Sequence, residues 1–546
     1  MSPSPHGPAP FDSIERKVVE HLFELYPNYA VSLGLHQYDG RLPLVARDAT
    51  DRWLRDAEPL LAELARFPKE GLSPERRTDL FLLRLLLESA HFDLAESADL
   101  DRNPMAYLGA LSLTSYIARD YAPVPDRVQG IIRILEGVPA YLADGQRRLR
   151  PVLAKPFVQL AGSMGAGLPS HFMEAEEFAR RADRTLGERV AAARHMAEAA
   201  VSAFMKALRE DYLPRANDEF ALGPERFQRL LFVREGIDRP FGEIEKAGRA
   251  DLERNQRRLD QIAREANATI PELLEGLYRD HPSAAELIPT ARSMVENARR
   301  FVEEHALATV PPEAQARVEE TPAWGRALST ASMDSPGPFD TTRGEGIYYV
   351  TPVDAQWSEK QQEEWLRSLN RTMLGNITAH EVYPGHYLQF LHFRAAPLSL
   401  ARKAYLSPSY VEGWAHYTEQ LVIEEGWGAP GVAAEVAQLH DALLRDCRLL
   451  ASIGLHTRGM TVEEATQMFQ REAHFERLPA EREAIRGTFN PEYFCYTLGK
   501  LAILEARKRY LTPKFGGSLR GFHDALLGFG CPPIGLFDRL FDPSAA

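Results

Sequence analysis

The chain has very little cysteine: three residues, Cys447, Cys495 and Cys531, in a total of 546. No two of them form a CxxC pair, so the sequence predicts neither a thiolate metal site nor a disulfide framework. This usage is typical of a reducing compartment. No apolar run approaches the roughly 20 residues that a membrane-spanning helix needs, and no positively charged leader precedes an apolar stretch. We therefore predict a cytoplasmic protein without a membrane partner.

An excess of positive charge is also missing. Asp and Glu outnumber Lys and Arg by 77 to 64, which gives a formal net charge of −13. This balance argues against nucleic acid or an anionic membrane as the main partner. It neither supports nor opposes an enzyme that acts on small or peptidic substrates, because such a site needs only local charge. Nothing in the sequence indicates an oligomeric state.

Long amphipathic patterns dominate the chain, in which 45% of the residues are hydrophobic. Apolar residues recur at intervals of three and four in segments 79–97, 125–149, 185–213 and 241–266, which is the period of a helix. Alternation of apolar and polar residues is brief, in 344–354 and around 307–319. The sequence therefore predicts a mainly α, multi-helical fold with a small β element.

The chain divides into three predicted regions. Residues 1–10 are rich in Pro and Ser and are expected to form a disordered tail. Residues 11–235 carry no visible chemistry and are predicted to form a helical lobe and cleft wall. Residues 236–546 are predicted to form the helical lobe that carries the site. No linker rich in Gly, Ser or Pro separates the two lobes, so one continuous domain is the alternative.

The most informative segment is HEVYPGH at 380–386, in which a glutamate follows the first of two histidines. In the common zinc-hydrolase pattern HExxH the histidines stand at i and i+4, on one face of a helix. Here they stand at i and i+6, which is about 600° around and about 9 Å along a regular helix. Pro384 has no amide hydrogen for the carbonyl of His380, and Gly385 tolerates unusual dihedrals. We therefore expect a broken or widened turn that returns His386 to His380.

The alternative is a helix that ends at Tyr383, with two unrelated histidines nearby. A second segment, 409–425, favours a metal site instead. It is predicted to be a helix, in which Glu412, His416 and Glu419 stand at i, i+4 and i+7 and form one stripe. Charged stripes commonly face solvent, but a stripe packed beside the first segment would supply a carboxylate to the same ion.

These residue types predict a catalytic metal. Two neutral imidazoles and one carboxylate leave a position open for water at a zinc ion, as catalytic sites do. We predict one Zn²⁺ held by His380, His386 and Glu412; manganese, cobalt and nickel also accept such ligands. Glu381, adjacent to a ligand, is the expected general base. The residues by themselves indicate metal-assisted hydrolysis.

At these residues the chain resembles the bacterial "domain of unknown function 885" family, whose members look like zinc metallopeptidases with an HExxPGH and EGWA signature. The matching segments are HEVYPGH (380–386), EGWA (412–415), GLH (454–456) and YTLGK (496–500). The resemblance implies a helical, two-lobed fold with a deep cleft across which zinc is held, similar to the thimet-oligopeptidase and angiotensin-converting-enzyme group. It also implies that the substrates are short peptides.

The resemblance assigns the same three ligands and the same catalytic Glu381. Tyr496 corresponds to a tyrosine that such enzymes aim at the oxyanion; its other interpretation is an ordinary half-buried aromatic residue. The chain departs from the family at His416, where many members carry an apolar residue. His416 is therefore either a competing third ligand or a neighbour of the ligands, and we favour Glu412 as the ligand.

Five further residues have two interpretations each. His456 would donate to the oxyanion or bind substrate, or it is a satisfied core histidine. Glu419 would orient a ligand histidine through a hydrogen bond, or it faces solvent. Arg507 would receive a substrate carboxylate, or it solvates a helix face. Tyr348 and Tyr349 would lie near the cleft on an edge strand that aligns an extended peptide, or they belong to an apolar hairpin arm.

The leading prediction is therefore a zinc-dependent peptidase that hydrolyses short peptides, with Glu381 as the general base. Hydrolysis of a non-peptide amide or ester by the same residues is the second possibility. The third, from another class, is a non-catalytic helical binding protein whose metal site is degenerate.

Overall fold

The computed structural model describes residues 10–322, 325–326, 329–342, 344–428 and 431–542. Over these residues the fold is mainly helical, as predicted, with a small three-stranded sheet. No helix in the described part of the chain is long and apolar enough to cross a membrane. The predicted disordered tail lies outside the described residues, except for Pro10, which begins the first helix.

The helices are numbered in chain order. Those that precede residue 236 are α1 (Pro10–Leu25), α2 (Pro27–Ser32), α3 (Arg47–Arg66), α4 (Pro74–His91), α5 (Asp99–Arg102), α6 (Met105–Gly109), α7 (Thr114–Ala118), α8 (Val124–Arg148), α9 (Lys155–Ala182), α10 (Arg184–Ala207) and α11 (Pro224–Glu235). Those that follow are α12 (Phe241–Glu265), α13 (Ile270–Arg279), α14 (Leu287–Glu304), α15 (Glu359–Ser368), α16 (Arg371–Glu381), α17 (His386–Ala395), α18 (Leu400–Lys403), α19 (Pro408–Glu424), α20 (Ala433–Thr457), α21 (Val462–Glu472), α22 (Arg477–Phe489), α23 (Cys495–Tyr510), α24 (Leu519–Leu527) and α25 (Phe537–Phe541).

The four long amphipathic segments are helices, as their periodicity predicts. They correspond to α4, α8, α10 and α12. In α12, for example, Ile244, Leu252 and Leu259 are buried on one face. Segment 79–97 extends beyond the end of α4. The helix ends at His91, and a single wider turn follows at 92–96.

The sheet contains β1 (Ala316–Glu320), β2 (Ala331–Asp334) and β3 (Gly346–Val350), in the order β1-β3-β2. β3 pairs parallel to β1 and antiparallel to β2, so that Tyr348 lies between Val318 and Met333. The predicted alternation at 344–354 is therefore β3, whereas β2 falls in a segment that lacks such alternation. Because both edges of β3 are already paired, the prediction that it aligns a peptide as an edge strand is wrong.

Side chains from both predicted lobes meet across residue 235. The carboxylate of Glu235, at the end of α11, accepts hydrogen bonds from Ser407 Oγ at 2.5 Å and from Ser409 N at 2.9 Å. The Tyr405 hydroxyl donates to the carbonyl of Arg234 at 2.8 Å. These contacts anchor the start of α19 to α11, and the division into two lobes stays a prediction.

Polar caps set where the two helices of the predicted site begin. The Asn370 side chain accepts a hydrogen bond from Met373 N at 3.0 Å and caps α16. Ser407 accepts one from Tyr410 N at 3.0 Å and caps α19, with Pro408 in the first turn. Both arrangements satisfy amide groups that have no partner inside the helix. Helix α19 matches the predicted segment 409–425 to within one residue at each end.

Two glycines let α19 and α23 cross with their backbones in contact. A Cβ on Gly499 would lie 1.7 Å from the carbonyl oxygen of Ser409, and one on Gly413 would lie 2.4 Å from the Cα of Gly499. No larger residue fits at either position without separating the helices. The crossing therefore fixes Glu412, which precedes Gly413, relative to the start of α23, where Tyr496 lies.

Candidate metal centre

A break between α16 and α17 brings the two histidines of the first segment together. Helix α16 ends at Glu381 and α17 begins at His386. A Cβ on Gly385 would lie 1.7 Å from the carbonyl oxygen of His380, so the turn closes only with glycine there. The Trp414 indole Nε1 donates to the carbonyl of Pro384 at 2.9 Å. The turn is thus held in place from α19, and the expectation of a broken turn is confirmed.

His380, His386 and Glu412 form one compact cluster. The Nε2 atoms of both histidines lie 3.6 Å from Glu412 Oε2, and the three potential ligand atoms lie within 4.8 Å of one another. The imidazole rings stand at 87° with their centroids 4.8 Å apart. Ligand atoms about 2.0–2.2 Å from a tetrahedral zinc ion would be separated by roughly 3.4 Å. The spacing of the cluster is close to that requirement.

The cluster also has an unsatisfied polar atom that a cation would satisfy. Glu412 Oε2 is buried and has no hydrogen-bond partner among the described residues. Burial opposes ionisation, but the two imidazoles outweigh it and hold the pKa of Glu412 well below its usual range. A buried carboxylate oxygen without a donor is unfavourable unless a cation compensates it. The donor set of two nitrogens and one oxygen fits a zinc ion.

Glu419 holds His380 from behind. One of its oxygens lies 2.6 Å from His380 Nδ1 and 2.9 Å from Arg445 Nη2. Burial lowers the pKa of His380, but the nearby carboxylates of Glu412 and Glu419 outweigh it and raise that pKa to about 10. A carboxylate at Nδ1 leaves Nε2 to face the cluster, which is the usual arrangement behind a histidine that binds a metal.

His416 lies beside Glu419 and not in the cluster. Its Nδ1 is 3.2 Å from the other oxygen of Glu419, and its ring is fully buried. Burial lowers the pKa of His416 to about 3, so the ring is neutral at pH 7. Of the two residues considered as third ligand, the geometry brings Glu412 to the histidines.

Glu381 and Tyr496 lie beside the cluster. Burial raises the pKa of the Glu381 carboxyl, against the nearby imidazoles of His380 and His386, which lower it. Burial and then the Glu412 carboxylate raise the pKa of the Tyr496 phenol, which therefore stays protonated. The Arg448 guanidinium lies 5.0 Å from the centroid of the Tyr496 ring. The Tyr496 hydroxyl makes no hydrogen bond to another described residue, so it is available as a donor.

Three other candidate residues, His456, Tyr348 and Tyr349, do not present a free polar group to the cluster. His456 Nδ1 accepts a hydrogen bond from Leu222 N at 3.3 Å, and its Nε2 donates one to the carbonyl of Gly487 at 2.9 Å. It is a satisfied core histidine, and its prediction as a catalytic residue is wrong. Tyr348 and Tyr349 are buried in the central strand, and the Tyr348 hydroxyl faces Thr378 Oγ1 at 3.5 Å.

Arg507 is also placed elsewhere. Its guanidinium donates to Glu424 Oε2 at 2.8 Å, at the C-terminal end of α19. Glu424 is twelve residues from Glu412, which corresponds to about 18 Å along the helix. The prediction that Arg507 receives a substrate carboxylate at the metal is therefore wrong, because its charge is paired at the far end of the helix.

Sequence reasoning missed two charged side chains that α20 contributes, Asp441 and Arg445. Arg445 pairs with Glu419, and Asp441 accepts a hydrogen bond from Asn376 Nδ2 at 2.6 Å. Arg448 forms two hydrogen bonds to Glu483 at 2.8 and 2.9 Å. The signal was present, because Asp441, Arg445 and Arg448 stand at i, i+4 and i+7 on a helix that carries apolar residues on every side. A charged stripe on such a helix indicates a buried polar network.

Comparison with known proteins supports the fold and the family. A putative lipoprotein of unknown function from Shewanella oneidensis is 24% identical, with a TM-score of 0.77 over 98% of this chain and 100% of that one. A putative lipoprotein from Colwellia psychrerythraea is 17% identical, with a TM-score of 0.81 over 97% and 98% of the two chains. No protein with a curated description matches. The family described as "Bacterial protein of unknown function (DUF885)" matches residues 27–540, and this chain belongs to that family.

Proposed function

We propose that this protein is a zinc-dependent peptidase that hydrolyses short peptides. The observation that carries the proposal is the convergence of His380 Nε2, His386 Nε2 and Glu412 Oε2 from two separate segments, next to Glu381. In a protein that binds no metal, a buried carboxylate oxygen left unpaired between two imidazoles would be unfavourable. The restriction to short peptides comes from the resemblance to the deep-cleft oligopeptidases.

The residues of the cluster would hold the metal through two nitrogens and one oxygen. When bound, zinc supplies Lewis acidity, which polarises a carbonyl group and lowers the pKa of water. Glu419 keeps the His380 ring in the tautomer and orientation that present Nε2. Arg445 balances the charge of Glu419, so that this carboxylate stays ionised behind the histidine.

Glu381 and Tyr496 would handle the proton and the developing charge. The Glu381 carboxylate accepts a proton from the attacking water and later delivers it to the leaving amine nitrogen. Burial raises the pKa of the Glu381 carboxyl toward neutral pH. Such a pKa suits a group that must both accept and donate a proton. The Tyr496 phenol donates a hydrogen bond to the carbonyl oxygen as negative charge develops there.

The direct test combines metal analysis with a cleavage screen. The purified chain is expected to contain one zinc ion per molecule and to cleave members of a dipeptide and tripeptide library, read by mass spectrometry. Cleavage of amide or ester substrates alone would assign the same residues to a different hydrolase. Bound metal without any hydrolysis would favour a binding protein.

A pair of substitutions tests whether the Glu412 carboxylate or the His416 imidazole is the third ligand of the metal. Glu412→Gln is expected to lose nearly all bound zinc, because the amide oxygen that replaces the carboxylate is neutral. His416→Gln is expected to weaken zinc binding by at most about 10-fold, the low end for residues that support a ligand indirectly. Zinc content after dialysis against a chelator measures both. Greater loss in the His416 variant would refute the assignment.

The cytoplasmic location stays a prediction from the sequence. The two structural neighbours are each described as a putative lipoprotein, which is a statement about those proteins. Fractionation of the cells that produce this chain, followed by immunoblotting, is expected to recover it with the cytoplasmic proteins.

A further inference from the structure

A cavity of about 480 Å³ is lined mostly by residues of the first half of the chain. Its lining comes from α5, from neighbouring helices of the first half, and from residues 488–492, which precede α23. None of the four residues at the centre of the proposed hydrolase site lines it. The volume is within the range of about 300–1,000 Å³ that is typical of small-molecule sites.

Several aromatic side chains contribute to the walls of this cavity. Tyr26, Phe92, Tyr141, Phe157 and Phe220 all contribute to the lining. Such walls favour an apolar or aromatic group in the ligand, because burying its surface is worth roughly 25 cal/mol per Å². They do not by themselves select a ligand, since most pockets are lined in this way.

Some of the charges in the lining neutralise one another. The guanidinium of Arg234 lies 2.6 Å from Asp93 Oδ1 and 3.1 Å from Glu492 Oε1. These three side chains form one ion-paired group, in which each of the two carboxylates has the Arg234 guanidinium as its partner.

Asp99 and Arg102 line the same cavity but do not belong to that ion-paired group. Among the described residues, the carboxylate of Asp99 accepts hydrogen bonds only from the Asn103 amide, at 3.1 and 3.4 Å. The guanidinium of Arg102 donates to the carbonyl of Phe220 and lies 5.6 Å from the centroid of the Phe157 ring. Neither side chain forms an ion pair within 4 Å with any described residue. One anion and one cation, three residues apart on α5, therefore line the cavity without a close ion pair.

Electrostatics agrees with this geometry. Burial raises the pKa of Asp99 to about 6, with the neighbouring Asp93 adding to the effect. Burial lowers the pKa of Arg102, and the nearby Asp99 only partly offsets it. Both shifts arise first from burial, which the charged neighbours of each group offset only in part. A ligand that supplied the two countercharges would stabilise both groups.

We infer that this cavity binds a small zwitterion with an apolar side chain, such as a free aromatic α-amino acid. Its ammonium group would pair with Asp99, its carboxylate with Arg102, and its side chain would pack on the aromatic wall. Side chains at i and i+3 of a helical turn lie about 5–6 Å apart at Cβ. That spacing suits a ligand whose two charges are attached to one carbon atom. The inference does not depend on the metal centre.

The test is a calorimetric titration of the full-length chain with four related compounds. L-phenylalanine carries both charges, phenethylamine only the ammonium, 3-phenylpropionate only the carboxylate, and N-acetyl-L-phenylalaninamide neither. L-phenylalanine is expected to bind at least 10-fold more tightly than each of the others. Equal affinity for a singly charged compound, or no binding of L-phenylalanine at millimolar concentration, would overturn the inference.

Variants then locate the binding. Asp99→Asn and Arg102→Gln are each expected to weaken L-phenylalanine binding at least 10-fold, whereas Asp260→Asn, at an exposed position of α12, leaves it unchanged. Chelation of metal with EDTA is expected to have no effect. Binding that survives Asp99→Asn, or that disappears with EDTA, places the ligand elsewhere and refutes the site. The compound series needs no variant, so it can still overturn the inference if a substitution prevents folding.

Discussion

Replacing Glu381 by glutamine is expected to lower kcat for peptide hydrolysis about 10²–10⁴-fold, the usual contribution of a general acid–base residue. Glutamine keeps the shape of the side chain but neither accepts nor delivers a proton. Because Glu381 is not among the three clustered ligands, the variant should still bind one zinc ion per chain. Steady-state kinetics on a peptide from the cleavage screen, together with metal analysis, measures both quantities.

The matched control is Glu364→Gln on α15. Glu364 is exposed and pairs with Lys360 at 3.7 Å, an interaction worth little at the surface. This variant should keep the kcat and the zinc content of the parent. If Glu381→Gln keeps its activity, another residue is the base. If it loses zinc, Glu381 supports the metal and its role in proton transfer is not separable from binding.

Replacing Gly499 by alanine is expected to destabilise the fold by about 3 kcal/mol or more, at or above the upper end of the usual range for overpacking. The added methyl group would meet the Ser409 carbonyl oxygen at 1.7 Å and the Gly413 Cα at 2.7 Å. Both are backbone atoms of α19, so no side-chain rotation relieves the clash. Urea unfolding measures the free energy, and zinc content should fall because Glu412 adjoins Gly413.

The matched control is Gly276→Ala in α13. Nothing lies within 4 Å of a Cβ placed there, and alanine is favoured over glycine inside a helix by about 1 kcal/mol. This variant should be as stable as the parent or slightly more stable. An unfolding free energy of Gly499→Ala equal to that of the parent would show that α19 and α23 do not cross as closely as described.

The helices and the turn that joins His380 to His386 were predictable because they depend on local patterns. Apolar spacing predicts α8 or α12 without reference to the rest of the chain. The i, i+6 spacing of His380 and His386, with Pro384 and Gly385 between them, predicts the broken turn from backbone chemistry alone. The confirmed break follows from the same chemistry, since a residue with a Cβ at 385 would collide with the carbonyl of His380.

What could not be predicted depends on partners distant in sequence. His456 is an ordinary histidine in its own segment, and only the fold shows that Leu222 and Gly487 occupy both ring nitrogens. The central position of β3 depends on β2, a four-residue strand without alternation. The aspartate and arginines of α20 stand at helical spacing, but nothing local indicates that Glu419 is the partner of Arg445.

The indole of Trp414 links two segments that stand apart in the sequence. It donates from α19 to the carbonyl of Pro384 in the turn between α16 and α17, where a buried oxygen would otherwise lack a donor. A designer who transplanted only 380–386 onto another scaffold would leave that turn without its support. The smallest unit worth transplanting is the turn together with the helix that bears Glu412 and Trp414.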